Sequence, residues 1–151
     1  MEREQIIRSV KLDKLINQIC IEKENIRKKC GMMSRIECAL LLFLNKEEGG
    51  VCMNDLSSEL KVSHSRVTRI IDSLVEKEIV DRYPSKKDRR KWYAELTEKG
   101  KRIADDTFEE NLKMHKQLLS QLPDEQIDMV LECIEDYFSK YRQVLEEMEE
   151  F

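Results

Sequence analysis

Six basic residues and one acidic residue lie within ten positions in the middle of the chain, from residue 82 to residue 91. The basic residues are Arg82, Lys86, Lys87, Arg89, Arg90 and Lys91, and the acidic residue is Asp88. Closely spaced Lys and Arg side chains bind polyanions, because attractions to several phosphate groups add together and release counterions. The segment is therefore a candidate anion-binding surface, although the 151-residue chain has a net charge of −4.

A second candidate surface precedes this segment, at the start of a predicted helix. Apolar residues at helical spacing predict its buried face, namely Val67, Ile70, Ile71, Leu74 and Val75. This face leaves polar residues on or beside the outer surface, namely Ser63, His64, Ser65, Arg66, Thr68 and Arg69. Arginine can make bidentate contacts with guanine, so Arg69 is a candidate for reading a base.

The elements that position these residues are predicted from caps and periodicity. Ser34 and Glu37 have the spacing of a capping box that opens a second helix, and Asn54 is a candidate cap for a short third helix. Ser63 is predicted to cap the fourth helix after a three-residue turn. Residues 79–83 and 91–96 read as two strands, with the basic segment as the tip of their hairpin. The order is a helix-turn-helix followed by a hairpin, or wing.

Long helices are predicted on both sides of this region. An apolar stripe covers residues 6–29, and Thr97 can cap a fifth helix that ends near Gln121. Pro123 fits the first turn of a last helix, whose apolar residues recur at three- and four-residue steps. This heptad spacing places the apolar residues along one side of the helix and predicts that a partner helix packs against them. We expect a mainly α fold with a small β-hairpin wing, in which residues 34–100 form a winged helix-turn-helix and residues 1–33 and 101–151 form a helical dimerisation region.

Composition narrows the class of protein. Gly and Pro together number six, which is typical of helical chains and disfavours large β architectures. The longest apolar run covers only residues 38–44, too short to cross a bilayer, and the first residues resemble no secretory signal. We therefore expect a cytoplasmic protein. The sequence shows neither a catalytic nucleophile with a matching general base nor a phosphate-binding glycine loop, so no motif indicates an enzyme.

The cysteines and histidines raise two further hypotheses. The five cysteines form no Cys-x-x-Cys pair, which favours reduced thiols. Cys30 follows two lysines and is a candidate thiol sensor, whereas Cys20 shares an apolar stripe and is more typical of an inert buried thiol. The chain has two histidines, His64 and His115, and their positions predict no metal site and no cofactor.

Three segments together resemble the MarR family of bacterial and archaeal transcriptional regulators. They are residues 55–77 (DLSSELKVSHSRVTRIIDSLVEK), 88–90 (DRR) and 96–100 (LTEKG). The resemblance implies a homodimer that binds a pseudo-palindromic DNA operator through a winged helix, usually as a repressor, and is released by a small molecule, a metal or an oxidant. The chain departs from the family pattern at Glu78, where the family usually has the glycine that ends its recognition helix. A residue other than glycine with left-handed backbone there costs about 1–2 kcal/mol.

The resemblance also assigns roles to individual residues. Ser65, Arg66, Thr68 and Arg69 match DNA-contact or supporting positions of the family, and Asp88 matches an aspartate that braces the wing. Arg90 matches an arginine that reaches the minor groove, but an ion pair with Asp88 is an equal alternative. Lys86, Lys87 and Arg89 are expected to face phosphates.

Two other functions remain open on the sequence alone. The winged helix could dock a protein instead of DNA, because helix-turn-helix geometry is not specific to DNA binding. The protein could also be a thiol-switched regulator, with Cys30 or Cys20 as the reactive residue.

Overall fold

The computed structural model describes residues 2–29, 31–47 and 49–149, which form six helices and three short strands. The elements are α1 (Arg3–Lys29), α2 (Arg35–Lys46), β1 (Val51–Cys52), α3 (Met53–Glu59), α4 (His64–Glu76), β2 (Val80–Pro84), β3 (Trp92–Leu96), α5 (Glu98–Leu119) and α6 (Asp124–Glu149). The chain forms two compact units, residues 1–107 and residues 108–151. None of the described helices is both long and apolar enough to span a membrane.

The hydrophobic core of the first unit lies where α2, α3, α4 and the sheet meet. Its fully buried large side chains are Leu40, Leu41, Leu56, Val67, Ile71, Leu74 and Val80. The predicted inner face of α4 is therefore correct at Val67, Ile71 and Leu74, whereas Val75 is exposed. Burial of each Leu or Ile side chain contributes about 1.5–3 kcal/mol to the stability of the fold, so this cluster fixes which face of α4 points outward.

The strands form one antiparallel sheet in the order β1-β3-β2. Val80 pairs with Leu96 and Pro84 with Trp92, so the loop from residue 85 to residue 91 closes the hairpin. The predicted wing is therefore confirmed. The extended segment before α3 adds a third strand to it, because Val51 and Cys52 pair with Ala94 and Tyr93.

Two helices of this unit end at residues with left-handed backbone. Glu78 has a φ of 59°, and the amide nitrogens of Glu78 and Ile79 donate to the carbonyls of Val75 and Leu74 at 2.9 Å. This is the Schellman pattern in which glycine is usual. Lys61 ends α3 in the same way, with a φ of 49°. The helix α4 therefore ends with this pattern, and a non-glycine residue bears the steric cost.

The predicted caps meet different outcomes. The Ser34–Glu37 capping box is present at the start of α2. The expected Asn54 cap is wrong: Cys52 is the N-cap, because β1 runs directly into α3 and the helix begins at Met53. Ser63 is the N-cap of α4, as expected, but its side chain makes no capping hydrogen bond. Pro123 lies one residue before α6 and not in its first turn.

The hairpin continues into α5 through a close approach of two backbones. The Thr97 hydroxyl accepts from the Gly100 amide at 3.0 Å, so Thr97 caps α5 as predicted. A Cβ atom at Gly100 would overlap the carbonyl oxygen of Ile79, so glycine is required where α5 crosses the end of the sheet.

The long helices α1 and α6 contain no buried residue. Their exposed apolar side chains include Val10, Leu15 and Ile19 on α1 and Ile134, Phe138, Tyr141 and Val144 on α6. The C-terminal end of α1 is attached to α2, because Arg27 Nη1 donates to Cys38 Sγ at 3.1 Å. Exposed apolar area on this scale is typical of a protein interface.

Candidate nucleic-acid interface

The outward face of α4 carries most of the polar residues expected there. Ser63, His64, Ser65, Arg66 and Arg69 are exposed. Thr68 is half-buried, and its hydroxyl donates to the carbonyl of His64 at 2.9 Å. That hydroxyl therefore stabilises the first turn of α4.

The N-terminal end of α4 is favourable for an anion. Its first turn contains no acidic residue, and the Ser63 side chain leaves the first backbone N–H groups of the helix without a cap. The Ser63 hydroxyl is instead 3.2 Å from the Ser65 hydroxyl. Free N–H groups and the positive end of the helix dipole together attract phosphate oxygens.

The wing loop is ordered by two small polar side chains. The Ser85 hydroxyl accepts from the amides of Lys87 and Asp88 at 3.2 and 3.3 Å. The Asp88 carboxylate accepts from the amide of Arg90 at 3.1 Å and from its Nε at 3.3 Å. Sequence reasoning missed Ser85, although serine that bonds the backbone two residues ahead is a known turn signal.

The cationic side chains of the loop point into solvent. Lys86, Lys87, Arg89 and Lys91 are exposed, and the Arg90 side chain keeps 93% of its surface accessible in spite of its ion pair with Asp88. Because such an exposed pair is screened by water, it contributes little stability and leaves the guanidinium available to a ligand.

Arg82 differs from the other basic residues of the segment, and sequence reasoning missed its role. Its Nη1 donates to Asp72 Oδ1 of α4 at 2.7 Å, and its guanidinium lies 4.7 Å from the centre of the Trp92 ring. The side chain is 27% exposed. Arg82 pairs with Ala94 in the sheet, and Trp92, two residues earlier on β3, is its diagonal neighbour. Long side chains reach such diagonal positions, which is the signal that could have indicated the contact.

A shallow cleft of about 60 Å³ opens between the base of the wing and the start of α4. Its polar lining consists of Asn54, His64, Arg82, Arg90, Lys91 and Trp92. The cleft joins the two surfaces predicted from the sequence, because His64 starts α4 and Arg90 belongs to the wing loop.

The opposite end of α4 is fixed to α2 through Glu37. Its carboxylate accepts from the Ser34 amide at 2.8 Å and lies 3.4 Å from Lys77 Nζ. Burial alone would raise the pKa of Glu37, but the hydrogen bonds from Ser34 and the charge of Lys77 outweigh it and lower the pKa below its usual value.

The cysteine candidates lie away from both surfaces or outside the described residues. Cys20 is half-buried on α1, and Cys30 lies outside the residues that the structure describes. Cys38 is buried beside Arg27, and desolvation raises the pKa of its thiol. In the described ranges, no three His, Cys, Asp or Glu side chains cluster as metal ligands.

Comparison with known proteins identifies relatives of the helix-turn-helix class. Over 94 residues the chain is 27% identical to the HTH-type transcriptional regulator MhqR of Bacillus subtilis, a match that covers 62% of this chain and 65% of MhqR. It is 37% identical over 92 residues to the HTH-type transcriptional regulator YpoP of the same organism, covering 61% of this chain and 63% of YpoP. The chain thus matches just under two thirds of the length of these relatives.

A similar fold occurs in Streptococcus pneumoniae FabT, whose crystal structure was determined in complex with DNA. The TM-score is 0.72 at 22% identity, and the alignment covers 93% of this chain and 99% of FabT. Residues 33–91, which contain α2, the helix-turn-helix and most of the wing, match the profile of the MarR family. The helix-turn-helix and most of the wing therefore lie within the segment of this chain that is similar to the MarR family.

Proposed function

We propose that the protein is a homodimeric, sequence-specific DNA-binding transcriptional regulator that acts as a repressor in the cytoplasm. The observation that carries the proposal is the placement of exposed cations on two adjacent surfaces of one compact unit, the start of α4 and the wing loop. A helix that presents its N-terminal residues fits the major groove, and basic residues on a hairpin reach the backbone or the minor groove.

The individual roles follow from this placement. Ser63, His64, Ser65, Arg66 and Arg69 are proposed to contact DNA from α4, with Thr68 at the edge of that surface. Lys86, Lys87, Arg89 and Arg90 are proposed to do so from the wing, which Asp88 braces. We assign Arg69 to base contact because it is exposed on α4 and can reach guanine with two hydrogen bonds.

The dimer is supported by α1 and α6, because many of their apolar side chains are exposed in the described single chain. We assign dimerisation to the helices of residues 1–33 and 101–151. Two copies would place two α4 helices on successive major grooves, about 34–36 Å apart. A small molecule is proposed to modulate DNA binding, as the family resemblance implies.

The test is selection of bound fragments from genomic DNA, followed by titration of the selected fragment at increasing salt. With about five phosphate contacts per subunit, the slope of log affinity against log salt should approach about −9. A slope near zero, or no bound fragment at modest ionic strength, contradicts the proposal.

Alternative functions give different results in the same assay. If peroxide abolishes DNA binding, and a single cysteine-to-serine change at Cys20 or Cys30 prevents that loss, the protein is a thiol-switched regulator. If changes in the wing abolish the capture of a partner protein but do not alter DNA binding, the winged helix is a protein-docking module.

A further inference from the structure

The cleft between the wing and α4 has an unusual charge. None of its lining residues, all of which the structure describes, is a carboxylate, whereas Arg82, Arg90 and Lys91 are cations. His64 and Asn54 add polar groups on the side of the helix-turn-helix. Such a lining suits a small anion, because every ionised group that faces the cleft has the opposite charge.

The three cations are not equally available. Arg82 is paired with Asp72, and Arg90 is paired with Asp88. Lys91 forms no ion pair with any residue in the described ranges and is exposed. Lys91 therefore supplies the unbalanced charge of the cleft, while the other two cations are held in place by aspartates outside it.

Arg82 also has unused donor capacity. Its Nε is buried and has no hydrogen-bond partner among the described residues, and its guanidinium is fixed over Trp92. A buried donor without a partner is unfavourable, because its hydration is lost and no hydrogen bond replaces it. An oxygen-rich ligand in the cleft would be close to this group.

The position of the cleft selects among anions. If α4 occupies a major groove and the wing the adjacent minor groove, the strand that separates the two grooves must pass between them. The cleft lies between these two elements. Its volume of about 60 Å³ is small and suits a single phosphate group rather than a base.

We propose that this cleft is the seat of one DNA backbone phosphate in each subunit, with Lys91 and Asn54 as additional contact residues and Arg82 as a cation positioned by Asp72 and Trp92. This inference rests on the proposed function. It adds Asn54 to the DNA surface, and it gives Arg82 and Lys91, which the sequence placed only in a basic segment, a defined phosphate to contact.

The first test compares Lys91→Ala with Lys101→Ala on the selected DNA fragment. Lys101 lies on α5, beyond the end of β3 that is remote from the wing tip, and serves as a matched loss of charge. One phosphate contact contributes about 0.9 to the salt slope, so Lys91→Ala should reduce its magnitude by about 1.8 per dimer. Lys101→Ala should leave the slope unchanged. Equal slopes for both variants overturn the proposal.

The second test neutralises single phosphates of the DNA with methylphosphonate. In each half-site, one position should weaken binding of the unaltered protein by about tenfold, as expected for a lost hydrogen bond to a charged group. The same substitution should have no further effect on Lys91→Ala. If the two losses simply add at every position, Lys91 does not contact a phosphate and the proposal fails.

A third measurement separates DNA phosphate from free anions. Trp92 is the only tryptophan of the chain and lines the cleft, so its fluorescence reports occupancy. DNA should change the fluorescence at far lower concentration than inorganic phosphate or dimethyl phosphate. Suppose that inorganic phosphate changes the fluorescence, that Lys91→Ala abolishes this change, and that Lys91→Ala leaves the DNA salt slope unaltered. The cleft is then a site for free anions, and the proposed DNA phosphate site is overturned. If no DNA binds at all, the proposed function itself fails.

Discussion

Arg82 connects the wing to α4, with Nη1 2.7 Å from Asp72 Oδ1 and the guanidinium 4.7 Å from the centre of the Trp92 ring. The ion pair and the stacked ring hold the guanidinium from two sides. A hairpin of two short strands has little stability of its own, so this contact helps to set the angle between the wing and α4.

We predict that Arg82→Ala lowers the free energy of unfolding by about 1 kcal/mol, since a partly exposed ion pair and a cation–π contact are both lost. Asp72→Asn should cost about half as much, because the stacking on Trp92 remains. It should not reduce the DNA salt slope, because the charge of Arg82 is kept. Urea unfolding at fixed protein concentration measures the stability effects. If Arg82→Ala is no more destabilising than Lys101→Ala, Arg82 does not hold the wing.

The two residues with left-handed backbone at the ends of α3 and α4 predict stabilising substitutions. Glu78→Gly and Lys61→Gly should each raise the free energy of unfolding by about 0.5–1 kcal/mol, because glycine adopts positive φ without the steric cost of a Cβ. Glu76→Gly, inside the last turn of α4, is the matched control and should lower it by a similar amount. Thermal unfolding of the three variants checks the prediction. Glu78 Oε2 lies 4.0 Å from Lys99 Nζ, an exposed pair that contributes little stability. Destabilisation by Glu78→Gly would contradict the prediction.

The proposed DNA surface predicts two different losses. Arg90→Ala should weaken binding to all DNA sequences and reduce the salt slope, because it removes a backbone or groove contact of the wing. Arg69→Ala should also relax the preference at one base position per half-site, at a cost of about 1–3 kcal/mol. Binding to the selected fragment and to single-base variants separates the two effects. Negligible losses for both variants would contradict the assignment.

The exposed apolar faces predict the oligomeric state. Ile134→Asp on α6 and Leu15→Asp on α1 should each convert a dimer to single chains at micromolar concentration, because a carboxylate would be buried in the interface without a partner. Glu135→Ala, at the neighbouring position of α6, should leave the dimer intact. Analytical ultracentrifugation distinguishes these outcomes. An unaltered chain that sediments only as a monomer rules out the dimer.

The lowered pKa of Glu37 predicts a pH dependence. A carboxyl group whose pKa is lower in the folded than in the unfolded chain stabilises the fold above its usual value of 4.5, and this contribution is lost as pH falls through the folded pKa. Glu37→Gln should therefore be less stable than the unaltered protein at neutral pH, and the difference should shrink below about pH 4.5. Urea unfolding at several pH values measures it. A difference that does not vary with pH would exclude this ionisation.

Most of the elements around the site could be predicted from local sequence. The capping box at Ser34, the apolar spacing of α4 and the strand pattern on either side of the basic loop are local signals, and each produced the expected element. Asn54 failed as a cap because a neighbouring strand, through the pairing of Cys52 with Tyr93, determined where α3 begins. That pairing joins residues 41 positions apart, so no local pattern contains it.

By itself, the sequence determined which helix exposes cations, where the hairpin turns and which family profile the chain matches, because helix periodicity, turn residues and charge spacing are properties of short segments. The tertiary structure decided that Arg82 pairs with Asp72, that the Lys91 side chain forms no ion pair with a described residue, and that Arg82 and Lys91 line one cleft with Asn54. Those relationships depend on strand register and on the packing of α4 against the sheet, which bring together side chains from three separate segments.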